Sequence, residues 1–237
     1  MGIIRTLNGD ISAHQLGVTY SHDHIYCIPP YWAERQDDDL LLDDPQASER
    51  ELSDFREAGG RAIYDATAPD YGRQAAAVAA MAQRQQLHII ATAGFNKGFL
   101  WSSKRPGSAQ TFAEWIEHSE IDELVEHVCR EVTEGIEGTA HRAGVVKCGT
   151  GYNTISPLEE KTMEVIVRAQ QRTNAQPYGN GDDGTRAGAD LQKMGAGFIP
   201  LMFCPYGSQP RSLAAPSDRQ HRGVSLFRRY QPHQIPP

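Results

Sequence analysis

Ala143-Gly144-Val145-Val146-Lys147-Cys148-Gly149, with Ser156-Pro157-Leu158-Glu159 a few residues on, is the stretch that decides the fold class. The first piece is a short apolar run, as a buried strand requires. The second supplies a serine N-cap, a proline at the first helical position and a glutamate at the third. The helix it opens, Pro157–Arg172, has Met163, Val165, Ile166 and Ala169 for its buried side. A strand that runs through a short loop into a capped helix is one βα unit.

The same alternation extends upstream. Gly60–Thr67 and Leu87–Gly94 read as strands, and Tyr71–Leu87 between them is a run of strong helix formers. Thr111-Phe112-Ala113-Glu114 is a capping box, and Ser119–Val132 places Ile121, Leu124, Val125, Val128 and Val132 on one helical face. Strands alternating with helices predict a parallel α/β sheet, either open and doubly wound or closed into a barrel. Periodicity does not choose between the two.

At 237 residues, 39% apolar and 22% charged, the chain is long enough for one barrel, which reaches about 250 residues. No apolar run approaches the roughly 18 residues of a membrane span, and the N-terminal residues turn polar too soon for a signal peptide. Cys27, Cys129, Cys148 and Cys204 form no C-x-x-C pair, so a reducing cytoplasm is the expected location. The net charge of −7 argues against a nucleic-acid partner, and no membrane partner is expected. That charge is uneven. Asn174–Pro237 carries seven basic and four acidic residues, hence +3, against −10 for Met1–Thr173. The same stretch holds eight of the 14 prolines, eight of the 22 glycines and no glutamate. Of it, only Gly197–Phe203 has strand character, and Pro200 demotes it.

Gly17-Val18-Thr19-Tyr20-Ser21-His22-Asp23-His24 carries the chemistry. On a strand, His22 and His24 share a face, because side chains alternate with a period of two. Two imidazoles at a strand's C-terminal end can grip one metal ion, although an H-x-H triplet also serves packing or solubility. Lys147 lies inside an apolar strand, where an ammonium is costly to bury. Its head either reaches out or pairs with a carboxylate, or else the neutral amine takes up carbon dioxide. The resulting carbamate offers two oxygens that can bridge two metals. Asp65, ending another strand, either serves a site or caps the following helix, the cap being the simpler reading, and Arg73 follows after Tyr71-Gly72. Cys148 reads as a small core residue and His88 as the start of a strand.

Together, GVTYSHDH (Gly17–His24), YDATAPDYGR (Tyr64–Arg73), IIATAGF (Ile89–Phe95) and AGVVKCGTGYNTISPLEEK (Ala143–Lys161) resemble the phosphotriesterase family of the amidohydrolase superfamily. They fall in that family's order across about the first 173 residues. The resemblance implies a (β/α)8 TIM-type barrel, here incomplete, with an irregular C-terminal tail. It implies two zinc ions at the strand ends, with one or none expected in this chain. His22 and His24 become first-strand ligands, and Lys147 the carbamylated, bridging and catalytic fourth-strand lysine. A small-molecule lactone or phosphate ester is the implied substrate, a metal-bridging hydroxide the nucleophile, and a homodimer the implied assembly. The Gly149–Asn153 loop inclines the choice toward a lactone or phosphosugar lactone.

Residues 1–173 then form the N-terminal part of such a barrel, with strands one to four, and residues 174–237 a divergent tail, poorly ordered or frame-shifted. The family's fifth and sixth strands end in histidines and its eighth in an aspartate. Here no histidine occurs between His141 and His221, and Ala175–Asn180 reads Ala-Gln-Pro-Tyr-Gly-Asn. A shifted reading frame accounts for this. Permitted codons for Cys204–Arg211, read from their second base, spell Ala-His-Met-Asp-Arg-Asn-Pro-Asp, which resembles the family's strand-six histidine and loop. Codons for Ala215–Gln231 likewise spell His-Arg-Gln-Ile-Ala-Asn-Thr-Gly-Ala-Tyr-Leu-Ser-Phe-Asp-Gly-Ile. The nucleotide sequence around residues 165–180 tests this: an uninterrupted frame with unrelated codons ends it. The alternative to a working hydrolase is therefore an inactive, truncated or frame-shifted homologue.

Overall fold

The computed structural model describes residues 2–32, 41–151 and 154–180. A two-stranded antiparallel hairpin, β1 (Ile3–Thr6) and β2 (Gly9–Ser12), precedes the main sheet. The sheet then alternates with helices: β3 (Thr19–Asp23), α1 (Pro45–Glu57), β4 (Ala62–Asp65), α2 (Ala75–Gln85) and β5 (His88–Gly94). After β5 come α3 (Phe112–His118), α4 (Ile121–Thr133), β6 (Val145–Gly149), α5 (Pro157–Thr173) and β7 (Gln176–Asn180). The five strands lie in the order β3-β4-β5-β6-β7, every neighbouring pair parallel. Sequential strands thus sit side by side, and the curled sheet is half of a barrel. Among the described residues no helix is long and apolar enough to cross a membrane.

Helix ends follow the local chemistry of the sequence. Asp44 accepts a hydrogen bond from the Ala47 amide ahead of Pro45, and Thr111–Glu114 and Ser156–Glu159 both form complete capping boxes. At its C-terminal end α5 stops where Asn174 turns left-handed, at φ 56°.

The sheet's two faces differ as a period of two requires. Ile63, Ile89, Ala91, Ala93, Val146 and Cys148 pack into the large core with the helices. Tyr64, Ala66 and Val145 form a second cluster with Ile90, on the concave side. Lys147 is two residues from Val145 and so belongs to the concave face, which is where a barrel keeps its interior. The expected core role of Cys148 and the strand start at His88 both hold.

Gly94, at φ +107°, is where β5 must accept a close neighbour: an added Cβ would lie 2.2 Å from the Lys147 carbonyl oxygen. That contact brings Phe95 N to donate to Lys147 O at 2.9 Å and seats β6 against β5.

The parallel sheet continues past the change of composition near residue 174. Gln176–Asn180 pairs with β6 from Val145↔Gln176 to Gly149↔Asn180. Pro177 lacks an amide donor, and among the described strands β7 is at the sheet's end, where such a residue is tolerated. Gly197–Phe203 and the rest of the tail lie outside the described residues.

Candidate active site

The three candidate metal ligands, His22, His24 and Lys147, lie toward the C-terminal ends of β3 and β6, the end at which barrels and open α/β sheets carry their chemistry. β3 brings His22 and His24, with a register irregularity between Tyr20 and Asp23 in its pairing with β4. Their rings meet edge to face, centroids 5.5 Å apart and planes at 81°. His22 also stands edge-on to Tyr64 of the concave cluster, at 6.2 Å. Asp23, between them, is buried and accepts the His24 amide at 2.8 Å.

Both imidazoles are kept neutral. Burial, then the Lys147 charge and then Lys97, lower His22 to about 3. Burial, Lys147 and His22 hold His24 well below the ordinary histidine value. A neutral ring is the form that binds a metal. His24 is fixed on two sides: its Nδ1 lies 2.9 Å from Thr67 Oγ1, and its ring lies against Tyr71 at 4.5 Å.

Lys147 is fully buried and donates from Nζ to the Ala66 carbonyl oxygen at 2.7 Å. Burial brings its amine down to about 8, against the opposing pull of Asp70 and Asp65. The structure thus places His22, His24 and Lys147 on one side of the sheet, with Lys147 felt electrostatically by both rings.

Two carboxylates complete the surroundings. Asp65 does not cap α2, whose N-cap is Gln74 without a side-chain bond. It accepts instead from the Thr67 amide at 3.1 Å and from the Thr67 hydroxyl, and burial raises it to about 6. Asp70 Oδ2 accepts from Asn96 N at 2.8 Å and Trp101 Nε1 at 2.7 Å, pinning the loop after β5. Its Oδ1 and the Asn96 Nδ2 have no hydrogen-bond partner among the described residues. Burial raises Asp70 to about 6 as well. Sequence reasoning passed over Thr67, Asp70 and Asn96. An Asp immediately after Ala68-Pro69, in a loop leaving a strand end, is the one feature of the sequence that bears on Asp70.

Arg73 belongs elsewhere. Its guanidinium turns to the helix side, bonding Glu131 through both terminal nitrogens, Glu137 at 3.0 Å, and the Thr92 carbonyl oxygen.

Two neutral imidazoles and a buried amine of lowered basicity are a donor set suited to a divalent metal of the zinc type. Among the described residues no group of three or more His, Cys, Asp or Glu side chains is spaced to hold a metal ion.

Fold and site together define a strand-end site on a parallel α/β half-barrel, and comparison with known proteins says of which kind. The sequence profile of the Phosphotriesterase family matches residues 2–196, so the chain belongs to that family. The crystal structure of a lactonase from Listeria monocytogenes superposes with a TM-score of 0.78 at 45% identity, covering 81% of this chain and 62% of that one. An organophosphorus hydrolase from Deinococcus radiodurans gives 0.70 at 25% identity, covering 82% and 58%. Among curated sequences, the phospho-furanose lactonase of Mycoplasmopsis agalactiae is 27% identical over 183 residues, 72% of this chain and 49% of its own length. The chain spans about half the length of the curated relatives it matches.

Proposed function

We propose that this chain carries the N-terminal part of a hydrolase that opens a lactone or a phosphate ester. The observation that supports it most is the convergence of two neutral imidazoles and a buried lysine amine on the concave face at the strand ends. His22 and His24 would hold one divalent ion, zinc by the chemistry of the donors, with Lys147 as a further ligand once carbamylated. The relatives named as lactonases favour a cyclic ester over an acyclic one.

The chain's own residues prepare each component. Desolvation strips the protons from both rings near neutral pH. An amine near 8 is partly neutral at physiological pH, and only the neutral amine adds to carbon dioxide, releasing a proton. The carbamate would then replace a buried cation with an anion able to ligate. A bound metal supplies Lewis-acid polarisation of the scissile carbonyl or phosphoryl group and lowers the pKa of attacking water.

A second reading has its own support: the histidine gap between His141 and His221 and the altered composition from residue 174. On that reading the chain is an inactive homologue that holds at most one metal. Metal analysis of the purified chain after zinc reconstitution, with lactone and phosphotriester turnover measured beside His22→Ala, decides between them. Near two zinc ions per chain and turnover above that control are expected of the working hydrolase. At most one weakly held zinc and turnover no higher than the control overturn it in favour of the inactive homologue.

A further inference from the structure

Resting on the reading of His24 as a metal ligand, we propose that Thr67 and Asp65 are positioning residues that fix the tautomer of His24 and leave its Nε2 lone pair for the ion. The inventory of protons carries this. A threonine hydroxyl has one proton to give. Thr67 Oγ1 gives it to Asp65 Oδ1, an oxygen that also receives the Thr67 amide at 3.1 Å. With that proton committed, Thr67 Oγ1 can only accept across the 2.9 Å to His24 Nδ1. The ring proton therefore sits on Nδ1. Nε2 carries the lone pair, and it has no hydrogen-bond partner among the described residues.

The relay is rigid at each link. Asp65 is 3% and Thr67 1% exposed, so neither is loosened by solvent. Thr92 Oγ1, on the adjacent strand, donates to the Asp65 carbonyl oxygen at 2.7 Å and holds the end of β4 in place. The next carbonyl, that of Ala66, takes the Lys147 ammonium. One three-residue segment, Asp65-Ala66-Thr67, thus orients both a histidine and the lysine. Tyr71, against the ring face of His24, restricts rotation that would exchange the two nitrogens.

A ligating histidine whose other nitrogen is held in this way binds more tightly, and loss of the holder costs about 10–100-fold in affinity. Long-range proton–nitrogen correlation spectra of the zinc-free full chain, labelled at histidine nitrogens and recorded near pH 8, read the tautomer directly. The His24 signals are assigned by their loss in His24→Gln. The wild-type ring is expected as Nδ1–H, Thr67→Val as a mixture shifted toward Nε2–H, and Thr67→Ser as wild type. Chelator competition should show zinc held about 10–100-fold more weakly by Thr67→Val, with Thr67→Ser restored.

An Nε2–H ring in the wild type overturns the proposal, and that spectrum suffices even if Thr67→Val does not fold. A ring unmoved in a folded Thr67→Val, or zinc affinity equal to wild type, also overturns it. Should the wild type take up no zinc while its ring is Nδ1–H and responds to Thr67→Val, the relay stands and the metal reading of His24 falls. The two failures are therefore separable.

Discussion

Lys147→Met is expected to abolish zinc retention and ester or lactone turnover together, down to the level of His22→Ala, while leaving the fold intact. Methionine matches the lysine stem in length and flexibility but brings no charge and no amine to carbamylate. Its two energetic consequences oppose each other. The Ala66 carbonyl oxygen loses its donor, at a cost of about 1–3 kcal/mol for a buried acceptor. Against this, a fully buried ammonium no longer has to be desolvated. Denaturant midpoints should therefore differ little, whereas activity and metal content should vanish. Turnover in Lys147→Met above the His22→Ala control would falsify the role assigned to the amine.

The same variant has a signature in the pH dependence of stability. Burial brings the folded amine to about 8 from an ordinary 10.5, so between those values the unfolded chain binds more protons than the folded one. Stability of the metal-free protein then rises with pH across that window. The rise is expected in the wild type and should be missing from the difference curve's Lys147→Met arm. Parallel curves for the two proteins between pH 8 and 10.5 count against a lowered amine.

How far such a site is legible in a sequence depends on how local its determinants are. Lys147 is two from Val145, so parity puts it on a definite face; His22 and His24 are also two apart, but β3 ends at Asp23 after a register irregularity, and it is the contact of the two rings that brings them together. The alternation of βα units is equally local, which is why the caps at Thr111 and Ser156 could be read from four residues each. Thr67 and Asp70 could not, since their partners are set by where the β4 loop meets β3 and the β5 loop. Asp65 misled for the same reason: its partner is two residues on rather than at a helix N-terminus. Gln176–Asn180 contains Pro177 and Gly179 and offers no apolar alternation, yet it becomes a strand because β6 presents a free edge to pair with. The position of Arg73 in sequence, eight residues after Asp65, does not tell which way its guanidinium turns. Gly72, left-handed at φ +75° and pressed on the Ile28 carbonyl, reverses the chain and sends Arg73 to the far side.

That far side is where the largest loss of stability is expected. Arg73→Met should destabilise the protein by about 3–5 kcal/mol, as removal of one partner from a buried ion pair does. The Arg73 and Glu131 side chains are 2% and 4% exposed and bonded through both guanidinium terminal nitrogens. Glu131 would be left with only the half-buried His127, at 3.9 Å, as a neighbour of opposite charge. Burial itself holds His127 below its ordinary value, so that ring is a weak substitute. Glu137, at 50% exposure, is served by water and adds little to the loss. Removing the orphaned charge as well should restore most of the stability: Arg73→Met with Glu131→Leu is expected within about 2 kcal/mol of wild type in urea unfolding, since apolar replacement of a buried pair is often neutral or better. A single variant costing under about 1 kcal/mol, or a double variant no better than the single, would show that the pair is solvated in solution. Among the described residues the guanidinium hydrogen-bonds the sheet through the Thr92 carbonyl oxygen, and its charge also draws the Asp65 carboxyl down, so zinc affinity in molecules that remain folded should change little beside the loss of stability. A large fall in that affinity would mean that β5 also transmits the loss to the Thr92 hydroxyl and so to the end of β4, coupling the ion pair to the site.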